Sequence, residues 1–330
     1  MKVSVITAVY NVADYIDRLL NSLESQTYKN WEFVAVDGQS TDGTYEKLLE
    51  FKDRYPSKVD VIKSPRRKAG VSFDRNLGLE ASSSRFIAFI DGDDWWSSTF
   101  LEDTMARIKH HDGVFTASYD VLDMGDNKTL VKVPYRKFGE VSWREIVKGD
   151  VRFGIGNTLL RRNIIERIGL RFPEGRNFSE DTYFMMMYAS QVRRAYGVSN
   201  RDFFHLIRHN SSVRSNPDVS VSIEKIDSVV ANHKELCKNV VRYSRMDPEE
   251  FCRLFMEVLH PSSIMIYVTS ISDSFGRKVG RALFKRYSSE IFKFRPTLSH
   301  SSLLMVIWII DLFVPGFRET LRSISGSLLD

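Results

Sequence analysis

Five apolar residues in succession, Phe86-Ile87-Ala88-Phe89-Ile90, run directly into Asp91-Gly92-Asp93-Asp94. A strand that is apolar on both faces needs a covering layer on each side, so it belongs inside a sheet flanked by helices. The abrupt change to three carboxylates places an ionic site at its carboxyl end, where open α/β sheets bind their ligands.

The residues before it repeat this plan. Val3 to Val9 reads as a first strand, and Ile16, Leu19, Leu20 and Leu23 fall at i, i+3, i+4 and i+7, the spacing of a crossover helix with one buried face. Trp31 to Val36 predicts a second strand ending at Asp37. Gln39 to Thr44 then turns and caps a helix reaching Arg54. Val59 to Lys63 reads as a third strand, and Phe73 to Ala81 as the helix leading into the apolar run. Such alternation predicts βαβ units around a parallel sheet. Thr7 and Tyr10, Asp37, and Asp91 with Asp93 then follow successive strands and converge on one crevice.

After Asp112 the pattern loosens into shorter strands, including Gly113 to Ser118 and Thr129 to Pro134, with a polar helical cluster from Gly175 to Tyr188. A Ser/Asn-rich break from Asn210 to Pro217 ends the strand-bearing part. The organisation read from this is one domain over 1–217, in halves 1–112 and 113–217, followed by a helical region over 218–330.

Close carboxylates without a cation repel one another, so Asp91, Asp93 and Asp94 suit a hard divalent ion, Mg²⁺ or Mn²⁺, that also holds phosphates. Gly92 lets the backbone approach a ligand closely. The competing reading is an acidic loop capping a helix that starts near Ser97, with Asp94 as the cap.

Val5-Ile6-Thr7-Ala8-Val9-Tyr10-Asn11, Val36-Asp37-Gly38-Gln39-Ser40-Thr41-Asp42-Gly43-Thr44, Asp74-Arg75-Asn76-Leu77-Gly78 and Asp91-Gly92-Asp93-Asp94 occur in that order. Together they resemble the family 2 glycosyltransferases of the GT-A fold, over roughly residues 1 to 215. The resemblance implies an α/β fold with a mostly parallel central sheet flanked by helices, here with a helical C-terminal extension. It also implies a nucleoside-diphosphate sugar donor, Mn²⁺ or Mg²⁺, and inversion at the anomeric carbon. On this basis 1–112 is the nucleotide-sugar half and 113–217 the acceptor half.

By position, Thr7, Tyr10 and Asp37 resemble the family's nucleoside-binding residues. A ring at Tyr10 can stack on a base and a carboxylate at Asp37 can accept from the imide N–H of uracil, which favours a UDP-sugar. Tyr10 as a helix-entry packing residue is the alternative, and Asp42 reads as a turn residue. Arg75 is expected to face the donor, paired with a phosphate or with Asp91, unless it is a solvated helix charge. Asp91 is expected at the ribose or the metal and Asp93 on the ion, with Gly92 between them. Phe178-Ser179-Glu180-Asp181 resembles the family's Glu-Asp motif, which makes Asp181 the general base; a helix start served by its macrodipole is compatible with that. Arg208 to Arg214 lies where relatives carry a basic loop, so His209 can be a further metal ligand, although Ile207 replaces the more usual Tyr. One of Trp95-Trp96 is a candidate sugar platform, with a core tryptophan as the alternative. His110-His111 reads as a solvated helix end.

The formal charge of +5 permits anionic partners without demanding nucleic acid. Two cysteines, Cys237 and Cys252, are too few for a disulfide framework and read as buried small hydrophobes. No G-x-G-x-x-G follows the first strand, which excludes a nicotinamide dehydrogenase. A non-catalytic nucleotide-sugar-binding protein and a sugar nucleotidyltransferase remain as alternatives. The N-terminus lacks a signal peptide's apolar core and the Leu303–Ile310 run is too short to span a bilayer, so the expectation is cytoplasmic. Between Arg277 and Arg295 seven basic residues face one acid, Glu290, with Leu283, Phe284, Ile291, Phe292 and Phe294 interleaved. Followed by Leu303 to Val314, this predicts peripheral attachment through 277–314 to an anionic membrane surface, near a saccharide or lipid-linked saccharide acceptor, with a helical dimer or domain contact as the other reading.

Overall fold

The computed structural model describes residues 1–66, 70–123, 128–175, 178–208, 219–257, 264–265, 268 and 277–291. In chain order the strands are β1 (Val3–Val9), β2 (Trp31–Asp37), β3 (Val59–Lys63), β4 (Phe86–Phe89), β5 (Trp95–Trp96), β6 (Gly113–Asp123), β7 (Lys128–Lys132), β8 (Gly139–Val141), β9 (Thr158–Arg161) and β10 (Ala195–Arg208). The helices are α1 (Ile16–Glu24), α2 (Thr44–Arg54), α3 (Val71–Ala81), α4 (Phe100–Ile108), α5 (Trp143–Val147), α6 (Arg162–Arg167), α7 (Glu180–Ala189), α8 (Val219–Tyr243), α9 (Pro248–Glu257), α10 (Arg277–Arg286) and α11 (Ser288–Ile291). They fall into two compact units, one of residues 1–143 and 152–207, the other of 144–151 and 208–330.

The first unit is built on a sheet ordered β3-β2-β1-β4-β9-β6-β10-β5, with β7 on β6 and β8 on β10. β1 pairs in parallel with both β2 and β4, and β2 with β3. β1 carries apolar residues on both faces because both faces are covered, and Val3, Val5, Ile6 and Val9 are buried. In α1 the spacing read from sequence is realised, with Ile16, Leu19, Leu20 and Leu23 in the core. Beyond β4 the pairing changes sign: β9 is antiparallel to β4 and β6, and β10 is antiparallel to β5 and β8. The expected α/β architecture with helices flanking a central sheet is realised, while the expectation of a mostly parallel sheet holds only up to β4.

The order 3-2-1-4 puts the point where the chain reverses direction across the sheet between β1 and β4, the position at which such sheets open a ligand crevice. Backbone bonds lock the three neighbouring ends together: Ile90 N–H donates to Ile6 at 3.1 Å, Gly38 N–H to Val9 at 2.8 Å and Ser64 N–H to Asp37 at 2.8 Å.

In the second unit, α8 and α9 form a helical pair in which Cys252 donates its S–H to the Cys237 carbonyl. Both cysteines are half-buried, less covered than expected. Leu283, Phe284 and Ile291 are buried, Tyr287 donates to Asp227 at 2.8 Å, and Lys234 pairs with Glu290 at 2.7 Å. These apolar side chains are thus committed to protein packing and are not free to enter lipid, which corrects that part of the anchor expectation. Arg281, Lys285 and Arg286 remain exposed, and residues 292–314 lie outside the described residues. Among the described residues no helix is long and apolar enough to cross a membrane.

Candidate donor and catalytic site

The loops after β1 and β2 are sewn to each other. Asn11 Oδ1 accepts from Thr41 N–H, Ser40 Oγ from Asn11 N–H, and Asp42 accepts from Ala13 N–H and Thr44 N–H, all at 2.9–3.0 Å. Asp42 is therefore the turn residue that its position implied. Asn11 and Gln39 hold positive φ, 50° and 65°, and among the described residues the third non-glycine residue to do so is Ser179 (63°) at the start of α7. All three stand in loops around the same site, where backbone strain is tolerated because the surroundings over-determine it.

Tyr10 is 40% exposed, so its ring is available for stacking. Thr7 and Asp37 are placed otherwise. The Thr7 hydroxyl is wholly buried and donates to the Ile90 carbonyl at 2.7 Å, so its side chain fastens β1 to the end of β4. Asp37 is also wholly buried, accepting the Ser40 N–H at 3.1 Å.

Arg75 is buried on the first turn of α3 and reaches in two directions: to Asp91 Oδ1 at 2.6 Å and to Glu180 Oε1 at 3.1 Å. Its guanidinium also lies 5.3 Å from the Phe172 ring. The solvated reading of this charge is excluded, and the pairing with Asp91 is realised. The next residue, Asn76, holds the segment leading to α7, accepting from Phe172 N–H at 2.8 Å and donating to the Phe172 carbonyl at 3.0 Å and Glu174 at 3.1 Å.

The three aspartates after β4 separate into different roles. The Asp91 side chain is 41% exposed beyond its contact with Arg75, and Asp93 is half-buried. Asp94 is buried and accepts the Leu206 N–H of β10 at 2.8 Å, while the helix behind it begins at Phe100 with Thr99 as its cap residue. The expected capping role is thus replaced by a tie between the acidic loop and β10. Burial first, and then the negative charges of Asp93 and Asp91, push the Asp94 carboxyl well above the usual carboxylate range. Gly92 is required for a reason other than ligand approach: a Cβ there would stand 2.7 Å from Val9 and 3.0 Å from Val12. Among the described residues no three His, Cys, Asp or Glu side chains are gathered as a complete metal cage. Two partly exposed carboxylates at the strand-end crevice, Asp91 and Asp93, fit Mg²⁺ or Mn²⁺, which can take few protein ligands and complete their shell with other oxygens. His209 lies outside the described residues.

Glu180 and Asp181 occupy the first turn of α7, where a helix N-terminus favours anions. Asp181 is half-buried and accepts the Thr182 N–H at 2.6 Å. Burial, and next the charge of Asp181, raise the Glu180 carboxyl to about 7 against the opposing pull of Arg75. Sequence reasoning gave Glu180 only a macrodipole role; its bond to Arg75 joins residues too far apart for any local pattern to reveal.

The tryptophans are accounted for by packing. Trp96 is in the core with Nε1–H donating to the Gly156 carbonyl at 2.8 Å. Trp95 stacks on Phe204, Phe204 on Tyr119, and Arg18 and Arg201 stand over Trp95 and Tyr119, each 5.4 Å from the ring centre. His111 is buried, its ring bonded to the Arg107 carbonyl and to Glu140, both at 2.7 Å, in place of the solvated helix end expected. A further charged group went unnoticed in sequence: Asp120 lies 3.0 Å from both Arg152 and His205 Nδ1. Burial opposes its ionisation, but these two partners outweigh that and hold it below the usual range.

The Glycosyl transferase family 2 profile matches residues 4–169. The poly(ribitol-phosphate) beta-N-acetylglucosaminyltransferase TarS of Staphylococcus aureus (strain MW2) is 26% identical over 238 residues, 69% of this chain and 40% of TarS. The UDP-Glc:alpha-D-GlcNAc-diphosphoundecaprenol beta-1,3-glucosyltransferase WfgD of Escherichia coli is 34% identical over 143 residues, 41% of this chain and 54% of WfgD. In both cases less than two thirds of the relative is spanned. A crystal structure of S. aureus TarS 1-349 in complex with UDP-GlcNAc has the same fold, with a TM-score of 0.63, 20% identity, and coverage of 99% of this chain and 92% of that one.

Proposed function

Because the chain belongs to glycosyl transferase family 2, we propose that it moves a sugar from a nucleoside-diphosphate sugar, in the first instance a UDP-sugar, to the hydroxyl of a glycan or lipid-linked saccharide in cell-envelope synthesis. The observation that carries this reading is the double contact of Arg75, which joins the acidic loop after β4 to the Glu180-Asp181 turn of α7. Two relatives, one named for N-acetylglucosaminyl transfer to poly(ribitol-phosphate) and one for glucosyl transfer from UDP-Glc to GlcNAc-diphosphoundecaprenol, support the substrate class.

In this reading Tyr10 stacks on the base and Asp37 accepts from it. Asp91 and Asp93 would hold Mn²⁺ or Mg²⁺ at the donor diphosphate, and the charge such an ion supplies would favour departure of the nucleotide. Arg75 keeps Asp91 oriented and stops it from repelling Glu180. Asp181 takes the proton from the acceptor hydroxyl as that oxygen attacks the anomeric carbon opposite the nucleotide, in a single displacement that inverts configuration. The exposed basic residues Arg281, Lys285 and Arg286 favour an anionic membrane surface on the cytoplasmic side, where a lipid-linked acceptor would lie.

A thermal-shift panel of UDP-, GDP- and dTDP-sugars with and without Mn²⁺ tests the donor class: a metal-dependent shift with a UDP-sugar is expected. The same shift without any transfer or hydrolysis would favour a non-catalytic nucleotide-sugar-binding protein. Anomeric proton couplings of the product test the mechanism, and a product of retained configuration would reject the single displacement.

A further inference from the structure

The residue before Arg75 has no place in the mechanism above, yet its surroundings are unusual. Asp74 is 5% exposed, and its Oδ1 is buried without a hydrogen-bond partner. Its Oδ2 approaches to 3.2 Å of the position that a Gly38 Cβ would take, a space bounded also by the Val9 carbonyl at 3.4 Å and Tyr10 Cβ at 3.6 Å. The Asp74 carboxyl therefore projects into the angle between the ends of β1 and β2, beside Tyr10 and Asp37. Lys63 and Arg66, on β3 and the turn beyond it, stand over the rings of Tyr45 and Phe73, and Arg75 is taken by Asp91 and Glu180.

We propose that Asp74 is a second base-reading residue, a neutral carboxyl whose O–H donates to a ring carbonyl of the donor's base while Asp37 accepts from the adjacent ring N–H. The pair is then complementary to an imide edge, C=O beside N–H, as in uracil, and mismatched to the amino-pyrimidine edge of cytosine, where donor and acceptor are exchanged. The inference rests on the nucleotide-sugar reading and sharpens it to the base.

Two further observations agree. Burial chiefly, and Asp37's negative charge after it, raise the Asp74 carboxyl against a weaker opposing bond from Ser64, which favours the protonated, donating form. A buried polar oxygen without a partner is disfavoured unless a ligand supplies one. The absence of a side chain at Gly38 is what leaves room for this carboxyl, since a Cβ there would crowd it.

Titration calorimetry of the full chain with UDP and with CDP, in the presence of Mn²⁺, tests the proposal. Wild type should bind UDP at least about tenfold more tightly than CDP, Asp74→Ala should narrow that ratio to about twofold, and Asp74→Asn, which keeps a donor, should restore it. The ligand-free melting temperature of Asp74→Ala should equal or exceed that of wild type, because the substitution removes an unpartnered buried group. An unchanged UDP:CDP ratio in Asp74→Ala, or equal binding of the two nucleotides by wild type, overturns the assignment. A melting temperature that falls while the ratio is kept makes Asp74 a packing residue and overturns it as well. Failure of wild type to bind either nucleotide overturns the donor reading on which the proposal stands.

Discussion

Arg75, on the first turn of α3, holds Glu180, on the first turn of α7, at 3.1 Å across 105 positions of sequence. Because the same guanidinium is 2.6 Å from Asp91, one buried cation keeps two carboxylate-bearing segments together. Arg75→Met would leave both carboxylates facing each other without it. Loss of one partner from a buried ionic group costs about 3–5 kcal/mol, so the urea midpoint should fall sharply and transfer should be lost. A stability within about 0.5 kcal/mol of wild type would show that the bridge is not formed.

Glu180 also gives the fold a pH dependence of defined sign. In the folded chain its carboxyl keeps the proton up to about 7, whereas its ordinary value is 4.5. The folded state therefore binds more protons than the unfolded state between these values, and the resulting stability is present below the lower one and lost as pH rises through the higher one. Glu180→Gln should flatten that window. Compared at about pH 5 and about pH 7.5, wild type should lose at least about 1 kcal/mol more than the variant. Parallel pH profiles for the two proteins would contradict this.

Asp181→Asn keeps size and hydrogen bonding but removes the proton acceptor. Donor affinity should stay within about twofold while turnover falls by about 10³-fold, the scale of general base catalysis. Transfer near the wild-type rate would move the base elsewhere.

Asp93 and Asp94 are adjacent and should respond in opposite ways. Asp93→Ala should abolish the gain in UDP binding that Mn²⁺ gives. Asp94→Asn should retain it, because Asp94 is a raised, buried carboxyl that serves mainly to accept the Leu206 N–H, which an amide oxygen also does. Equal loss of the metal effect in both variants would place Asp94 on the ion.

Gly92→Ala adds one methyl group against Val9 and Val12. Overpacking of this kind costs about 1–3 kcal/mol, and here the strain falls on the loop carrying Asp91 and Asp93, so thermal stability and metal-dependent binding should decline together.

How much of this was legible in sequence depended on how local the determinant was. β1, β2 and β4 matched the runs read for them because strands inside the sheet and covered on both faces carry a strong apolar signal, and α1 matched because its spacing is helical. β9 and β10 escaped notice. β10 alternates Arg201, Phe204 and His205 with core residues, and its partners are set by antiparallel pairing with distant segments. The same distance hid the roles of Asp94, whose partner is Leu206, and of His111, whose ring meets Glu140. Arg75 was singled out from its motif, but its second partner could come only from the fold. Asp74 stood inside a motif quoted for its neighbours, and only its burial marked it out.

Asp74, Arg75 and Asn76 are consecutive, so they leave α3 at successive angles of about 100°. Each serves a different wall of the crevice: Asp74 the ends of β1 and β2, Arg75 the acidic loop and α7, and Asn76 the strand-like segment at Phe172. A change of side chain at one position disturbs one wall. Inserting or deleting a single residue between Gly70 and Asp74 would rotate all three together and hand each wall the wrong group. This turn should therefore accept spelling changes far more readily than changes of length.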